Sequence, residues 1–253
     1  MKNGQYHTAA VIVIGNEILS GRTQDINTSF IAEKLTGRGV RLEEVRVIPD
    51  VKEKIVTTVN EMREAHDYVF TTGGIGPTHD DITAESIAEA FGVEIDVNND
   101  AFRMLEKHYG LEELTPPRAK MARIPHGATL IPNPVSAAPG FCLDNVYVFA
   151  GVPRIMQAML EHVLDNLEGG DPVLSASISC SLPESEMAED VGTLQEKYPD
   201  IEIGSYPHFR GGILGLSIVL RSPDKDILKQ ASDELVAIIK DRGEDPLVSM
   251  QFD

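Results

Sequence analysis

The first half of the chain keeps changing its hydrophobic period, and that alternation constrains the fold more than any other feature. Ala9 to Ile14 is an unbroken apolar run, after which 26–35 places Ile26, Phe30, Ile31 and Leu35 along one helical face, with Asp25 or Asn27 able to cap it. Val40 to Ile48 reads as a second strand, 51–65 as a helix with Ile55, Val59 and Met62 on one side, and 67–72 as a third strand. Strands separated by helices of this length belong to a parallel sheet with helices against it. A βαβαβ unit is the economical reading.

The third strand runs directly into Gly73-Gly74-Ile75-Gly76-Pro77, and a helix is expected to start near Asp80 or Asp81 and reach Gly92. A helical segment near 100–109 and a basic stretch with Arg118, Lys120 and Arg123 follow. Short strands are expected around 128–131, 141–143 and 146–149, the last two joined by an Asp144-Asn145 turn. Pro153 suits the first turn of a helix carrying Ile155, Met159, Val163 and Leu167. Glu168-Gly169-Gly170-Asp171-Pro172 punctuates the chain like a linker, which predicts domains at 1–170 and 171–253. The second should hold a strand (173–180), a helix (184–198), two strands (202–206 and 212–221) and a final helix (226–241), a small βαββα layer.

Bulk properties narrow the function. No segment of the 253 residues approaches the run of about 18 apolar residues that a membrane span needs. The polar start, Met1 to His7, does not read as a signal peptide, so the cytoplasm is the expected location. Cys142 and Cys180 lie far apart without ligand spacing; both are expected to be buried fillers rather than a disulfide or a zinc site. A net charge of −18 works against attraction to nucleic-acid backbones or anionic membranes. Phosphate must then be attracted at contact range, by backbone N–H groups, a cation or a few placed arginines.

The densest candidate is Thr71 to Thr83. Successive glycines let backbone amides point at an anion, and Asp80 and Asp81 offer oxygen ligands to a hard cation that would bridge to phosphate. The plainer reading is a tight turn with an acidic helix cap. The loop after the first strand, Gly15 to Thr28, should lie beside it, so that Glu17 or Asp25 completes a carboxylate set with Asp81; Asp25 and Asn27 are equally well read as caps. Asn133 to Gly140, with Ser136 and Gly140, could wall a base or pterin pocket or form an ordinary rigid loop. Of the seven histidines only His79 falls inside the glycine string. No Gly-x-Ser-x-Gly or Gly-Lys-Ser/Thr string occurs, against a serine hydrolase or a P-loop ATPase.

These strings together resemble a known family. Ile14 to Gly21 with Asp25-Ile26-Asn27-Thr28, Thr72 to Thr78 with Asp80 to Thr83, Asn133-Pro134 with Ala138 to Phe141, and Gly151-Val152-Pro153 are similar to the amino-terminal domain of competence/damage-inducible protein A. That domain also begins eukaryotic FAD synthases and is similar to molybdopterin-binding domains; the acidic tail resembles the small domain that follows. The resemblance implies a three-layer, mostly parallel α/β domain followed by a small α+β domain, and assembly as a homodimer or higher homo-oligomer. It implies a metal-dependent phosphoanhydride hydrolase using Mg²⁺, Mn²⁺ or Co²⁺, on ADP-ribose before FAD. The alternatives are a pterin-binding or adenylyl-transfer protein of molybdenum-cofactor metabolism and a nucleotide-binding regulator without turnover.

On the hydrolase reading Asp81 is the chief metal ligand, with Asp80, Asp25 and Glu17 as further ligands or, for Glu17 or Asp25, the base. Gly73, Gly74, Gly76 and Thr78 hold phosphate, assisted by Asn27, and Ser136, Gly140 and Gly151 line the substrate. Two departures stand out. The chain ends at Asp253, so the amidohydrolase domain of longer relatives, and its nicotinamide-mononucleotide deamidase activity, are not expected. Ala150 stands where the family usually has proline.

Overall fold

The computed structural model describes residues 6–210 and 213–251 and divides the chain into two compact units, Met1–Gly170 and Asp171–Asp253. In chain order the first unit holds β1 (His7–Ile14), α1 (Asn16–Leu19), α2 (Asn27–Thr36), β2 (Val40–Ile48), α3 (Lys52–Ala65), β3 (Tyr68–Thr72), α4 (Thr83–Phe91), β4 (Ile95–Val97) and α5 (Asn99–Tyr109). It continues with α6 (Pro116–Lys120), β5 (Arg123–Pro125), β6 (Thr129–Ile131), β7 (Gly140–Leu143), β8 (Val146–Phe149) and α7 (Pro153–Leu164).

Its main sheet has the order β2-β1-β3-β8-β7-β6. The first four strands are parallel, and β8, β7 and β6 are antiparallel. Alternate residues of β1 enter two separate cores. Ala10, Ile12 and Ile14 pack with Ile55, Val59, Met62 and Ile87 of α3 and α4, while Ala9, Val11 and Val13 pack with Ile31, Leu35, Met156 and Met159 of α2 and α7. Helices thus cover both faces, which is why the strand is apolar throughout and the fold is three-layered.

The second unit comprises β9 (Leu174–Cys180), α8 (Glu184–Lys197), β10 (Glu202–Arg210), β11 (Ile213–Ser222), α9 (Lys225–Asp241) and β12 (Leu247–Gln251). Its sheet, β10-β11-β9-β12, is antiparallel, and one face packs on α8 and α9 through Ile178, Leu216, Ile218, Leu228 and Leu235. It is a small α+β layer.

The structure corrects several sequence expectations. α4 begins at Thr83, beyond Asp81, because the Asp81 carboxylate bonds back to Thr78 and the Thr83 hydroxyl donates to the Gly73 carbonyl at 2.9 Å. α7 stops at Leu164, although Leu167 beyond it is still buried. The described residues of the second unit add a further strand, β12, giving βαββαβ, and β10 continues past Tyr206 through Pro207, which an edge strand tolerates. Cys180 is buried as expected, but Cys142 is half-buried; both are free thiols. Burial pushes the Cys142 thiol up to about 11. Among the described residues no helix is long and apolar enough to cross a membrane.

Candidate functional site

Parallel strands release their following loops at one end of a sheet, and β1, β3 and β8 are consecutive neighbours there. Gly73 is the point where the loops meet. Its N–H donates to the Phe149 carbonyl at 3.1 Å, its φ is 109°, and a Cβ at this position would lie 2.2 Å from the Ile14 carbonyl oxygen. A Cβ on Gly151 would stand 3.2 Å from Gly73 Cα. Glycine at both places lets three backbones approach closer than side chains allow.

The start of α2 is tied to the same point. The Asn27 side-chain amide donates to the Gly151 carbonyl at 2.8 Å, joining segments 124 residues apart. Asn27 is buried and its Oδ1 has no partner in the protein; the same holds for the hydroxyls of Thr71 and Thr72 at the end of β3. Buried polar atoms without partners are costly; among the described residues Asn145 Oδ1, in the turn before β8, and His208 Nδ1, in the second unit, share that state.

Asp25, two residues earlier, accepts from the backbone N–H groups of Asn27 (2.9 Å) and Thr28 (3.3 Å) and from the Thr28 hydroxyl. Its carboxylate closes the first turn of α2. Glu17 is exposed on α1 and folds back over Gly15, where a Cβ would lie 2.6 Å from its carboxylate oxygens.

The loop between β3 and α4 has its own internal lock. Thr78 donates to Asp81 Oδ2 from its N–H at 2.7 Å and from its hydroxyl at 2.6 Å, and the hydroxyl also reaches Asp80. The Thr78 hydroxyl holds the Asp80 carboxyl below the usual carboxylate range. Gly76 leaves room for this arrangement, since a Cβ there would sit 2.6 Å from Asp81 Oδ2. The Lys120 ammonium donates to the carbonyls of Thr78 (3.0 Å) and Asp81 (2.8 Å). A cleft beside the loop is lined by Gly74, Gly76, Asp81, Lys120, Ile124 and Phe141.

Residues 10–169 match the family described as probable molybdopterin binding domain, and residues 172–245 match the FAD synthase middle domain. The chain belongs to the probable molybdopterin binding domain family. A protein of Pyrobaculum arsenaticum is 34% identical over 92% of this chain and 95% of its own length. One of Archaeoglobus fulgidus is 33% identical over 92% and 98%. The crystal structure of the protein CinA, of unknown function, from Thermoplasma acidophilum is 39% identical over 64% of this chain and 98% of its own, with a TM-score of 0.61. The resemblance to the competence/damage-inducible type therefore holds for the first unit, and the second is similar to the FAD synthase middle domain.

Within this molybdopterin-binding-type domain the sequence-predicted residues fall into three groups. Gly73, Asn27 and Gly151 meet at the loop junction; Gly74, Gly76, Thr78, Asp80 and Asp81 share one loop. Ser136 and Gly140 serve their own segment. Asn133 bonds the Ser136 hydroxyl at 2.7 Å, and Gly140 opens β7 where a Cβ would meet the Val148 carbonyl at 2.3 Å.

Asp80 and Asp81, held by one hydroxyl, are oxygen donors of the kind a hard cation takes. Among the described residues the trio with ligand atoms within 4.8 Å of one another is Glu94, Asp96 and His126, all exposed on and beside the β4–β5 ladder, and it includes none of Glu17, Asp25, Asp80 and Asp81. Sequence reasoning passed over Lys120 as a site residue. The available signal was a basic stretch in an acidic chain.

Proposed function

We propose that the loop junction at the end of β1, β3 and β8 binds a pterin- or nucleotide-type small molecule by its phosphate-bearing end. The observation that carries this reading is the glycine-enforced convergence on Gly73, beside which the buried Thr72 hydroxyl, a donor for phosphate, and the Asn27 Oδ1, an acceptor for an N–H or O–H of the ligand, have no partner among the described residues. A protein of net charge −18 has little long-range pull on an anion, so donors at contact range must supply the affinity. The backbone N–H groups of Gly74, Ile75 and Gly76, which donate to no other group among the described residues, and the Thr72 hydroxyl are such donors. Binding stands ahead of hydrolysis because Asp25 is committed to α2 and the family description names molybdopterin binding.

A second reading is favoured by the pairing of Asp80 and Asp81 around Thr78. These carboxylates would hold Mg²⁺, Mn²⁺ or Co²⁺, and the cation would screen phosphate charge during cleavage of ADP-ribose or FAD. Adenylyl transfer to a pterin uses the same grip on phosphate.

Calorimetric titration with ADP-ribose, FAD and a molybdopterin-type ligand, with and without each metal and followed by chromatography of the products, tests both readings. Saturable binding of at least one ligand is expected. Metal-dependent release of AMP promotes the hydrolase reading, and no binding of any ligand removes the site.

A further inference from the structure

Lys120 stands apart from the other cations described near the site. Arg123 beside it is paired with Glu85, Lys52 with Glu89, and Arg118 with Glu113. Lys120 makes no ion pair among the described residues, although the chain carries 40 acidic side chains. Its hydrogen-bond partners are two backbone carbonyls, Thr78 at 3.0 Å and Asp81 at 2.8 Å, across 42 and 39 residues of sequence. Among the described residues, these are the hydrogen bonds that reach 76–81 from elsewhere in the chain; the others in that stretch run from Thr78 to Asp80 and Asp81.

That placement has two consequences. An ammonium bonded to neutral carbonyls keeps its charge and a third N–H, and Lys120 lines the same cleft as Gly74, Gly76 and Asp81. The same two bonds fix where the loop presents its amides. A half-buried cation that organises a glycine loop, with no carboxylate of the described residues within ion-pair distance and the Asp80 and Asp81 carboxylates as its acidic neighbours, is placed to draw an anion to that loop.

We infer that Lys120 is the positioning residue of the phosphate site, latching the 76–81 loop by two carbonyls and lending its charge to the anionic group of the ligand. This rests on the binding reading above for its ligand, while the latch itself is independent of it. Lys120 sits on α6, a five-residue helix begun by two prolines, so the latch is anchored on a short, stiff element.

The test compares the full chain with Lys120→Met, Lys120→Arg and, as a control for lost charge, Lys107→Met on the exposed side of α5. Hydrogen exchange of ligand-free protein reads the latch. Peptides spanning 76–82 should exchange about tenfold faster in Lys120→Met, with β1 and β3 unchanged and Lys107→Met like the parent. Equal exchange in parent and Lys120→Met overturns the latch.

Titration with ADP-ribose and with adenosine reads the charge. Lys120→Met should weaken ADP-ribose by about tenfold or more and leave adenosine within about twofold, and Lys120→Arg should recover most of the loss. Equal weakening of both ligands, or none, overturns the charge role. If the parent binds neither compound, the binding reading fails and the charge role with it, and the exchange result still decides the latch. Near-UV circular dichroism matching the parent excludes misfolding, with Lys120→Gln as the replacement should the methionine variant fail it.

Discussion

β1 and β9 are strands of eight and seven residues that are buried in opposite ways. Every residue from Ala9 to Ile14 is buried, whereas in β9 Ala176, Ile178 and Cys180 are buried and the residues between them are only partly so. Helices on both faces of the first sheet leave β1 no side chain to offer a ligand, so chemistry is pushed to the loops beyond the strand ends. In the second unit α8 and α9 cover one face, and the other carries Ser175, Ser177 and Ser179, with Ser179 bonded to Ser217 at 2.7 Å. Parallel neighbours bring the loops that follow them to one end of the first sheet, whereas neighbouring strands of the second run antiparallel and send theirs to alternate ends.

The largest expected effect is at the junction itself. Gly73→Val puts a branched side chain at φ 109° against the Ile14 carbonyl and should cost about 4 kcal/mol in urea unfolding and abolish ligand binding. Gly21→Ala, at φ 72° with nothing within 4 Å, should cost about 1 kcal/mol. Equal costs at the two positions would break the link between the site and close backbone approach.

Neighbouring substitutions sharpen the contrast between strands. Ile12→Ala and Val13→Ala should each destabilise by about 2–3 kcal/mol, because each faces a packed core. In β9, Ile178→Ala should cost about 3 kcal/mol, and Ser177→Val should stay within about 0.5 kcal/mol. A large cost at Ser177 would show that the second sheet is also covered on its far side.

The same contrast explains what the sequence displayed. The unbroken run in β1 and the helical faces around Ile31 and Ile55 state a doubly covered parallel sheet, and the structure has it. Asp80 and Asp81 look like a helix start because acidic residues cap helices, but a carboxylate two residues further from the helix found Thr78 instead. β4 and β5, three residues each, are too short to show a period. β12 was hidden because Leu247 and Val248 are exposed, so no buried alternation marks it. The glycine string was legible as one motif. Its lock by Lys120, 39 residues from Asp81, was not, since a bond from an ammonium to carbonyls imposes no pattern on residue types.

A smaller effect compares the two ends of the first sheet. Where β1 and β3 begin, the Asp67 carboxylate accepts from the Thr8 N–H at 2.7 Å and hydroxyl at 3.0 Å, which holds its pKa below the usual value. Stability from this clamp is complete above the unfolded value of about 4 and is lost as pH falls through the lower folded value. Asp67 is half-exposed, so solvent screens it, and Asp67→Ala should cost about 1 kcal/mol at pH 7 and flatten the acid limb of the stability profile. Ligand affinity should be unchanged; a parallel loss of binding would show that the two ends are coupled.

The central claim is that the loops after β1, β3 and β8 hold the ligand. Amide chemical-shift mapping of the full chain, titrated with whichever of ADP-ribose, FAD or a molybdopterin-type ligand binds most tightly, tests it most directly. The account predicts shifts concentrated at residues 15–28, 73–83 and 150–152. Shifts confined to the second unit or to the Glu94, Asp96 and His126 surface, or no saturable shift with any of the three, would contradict it.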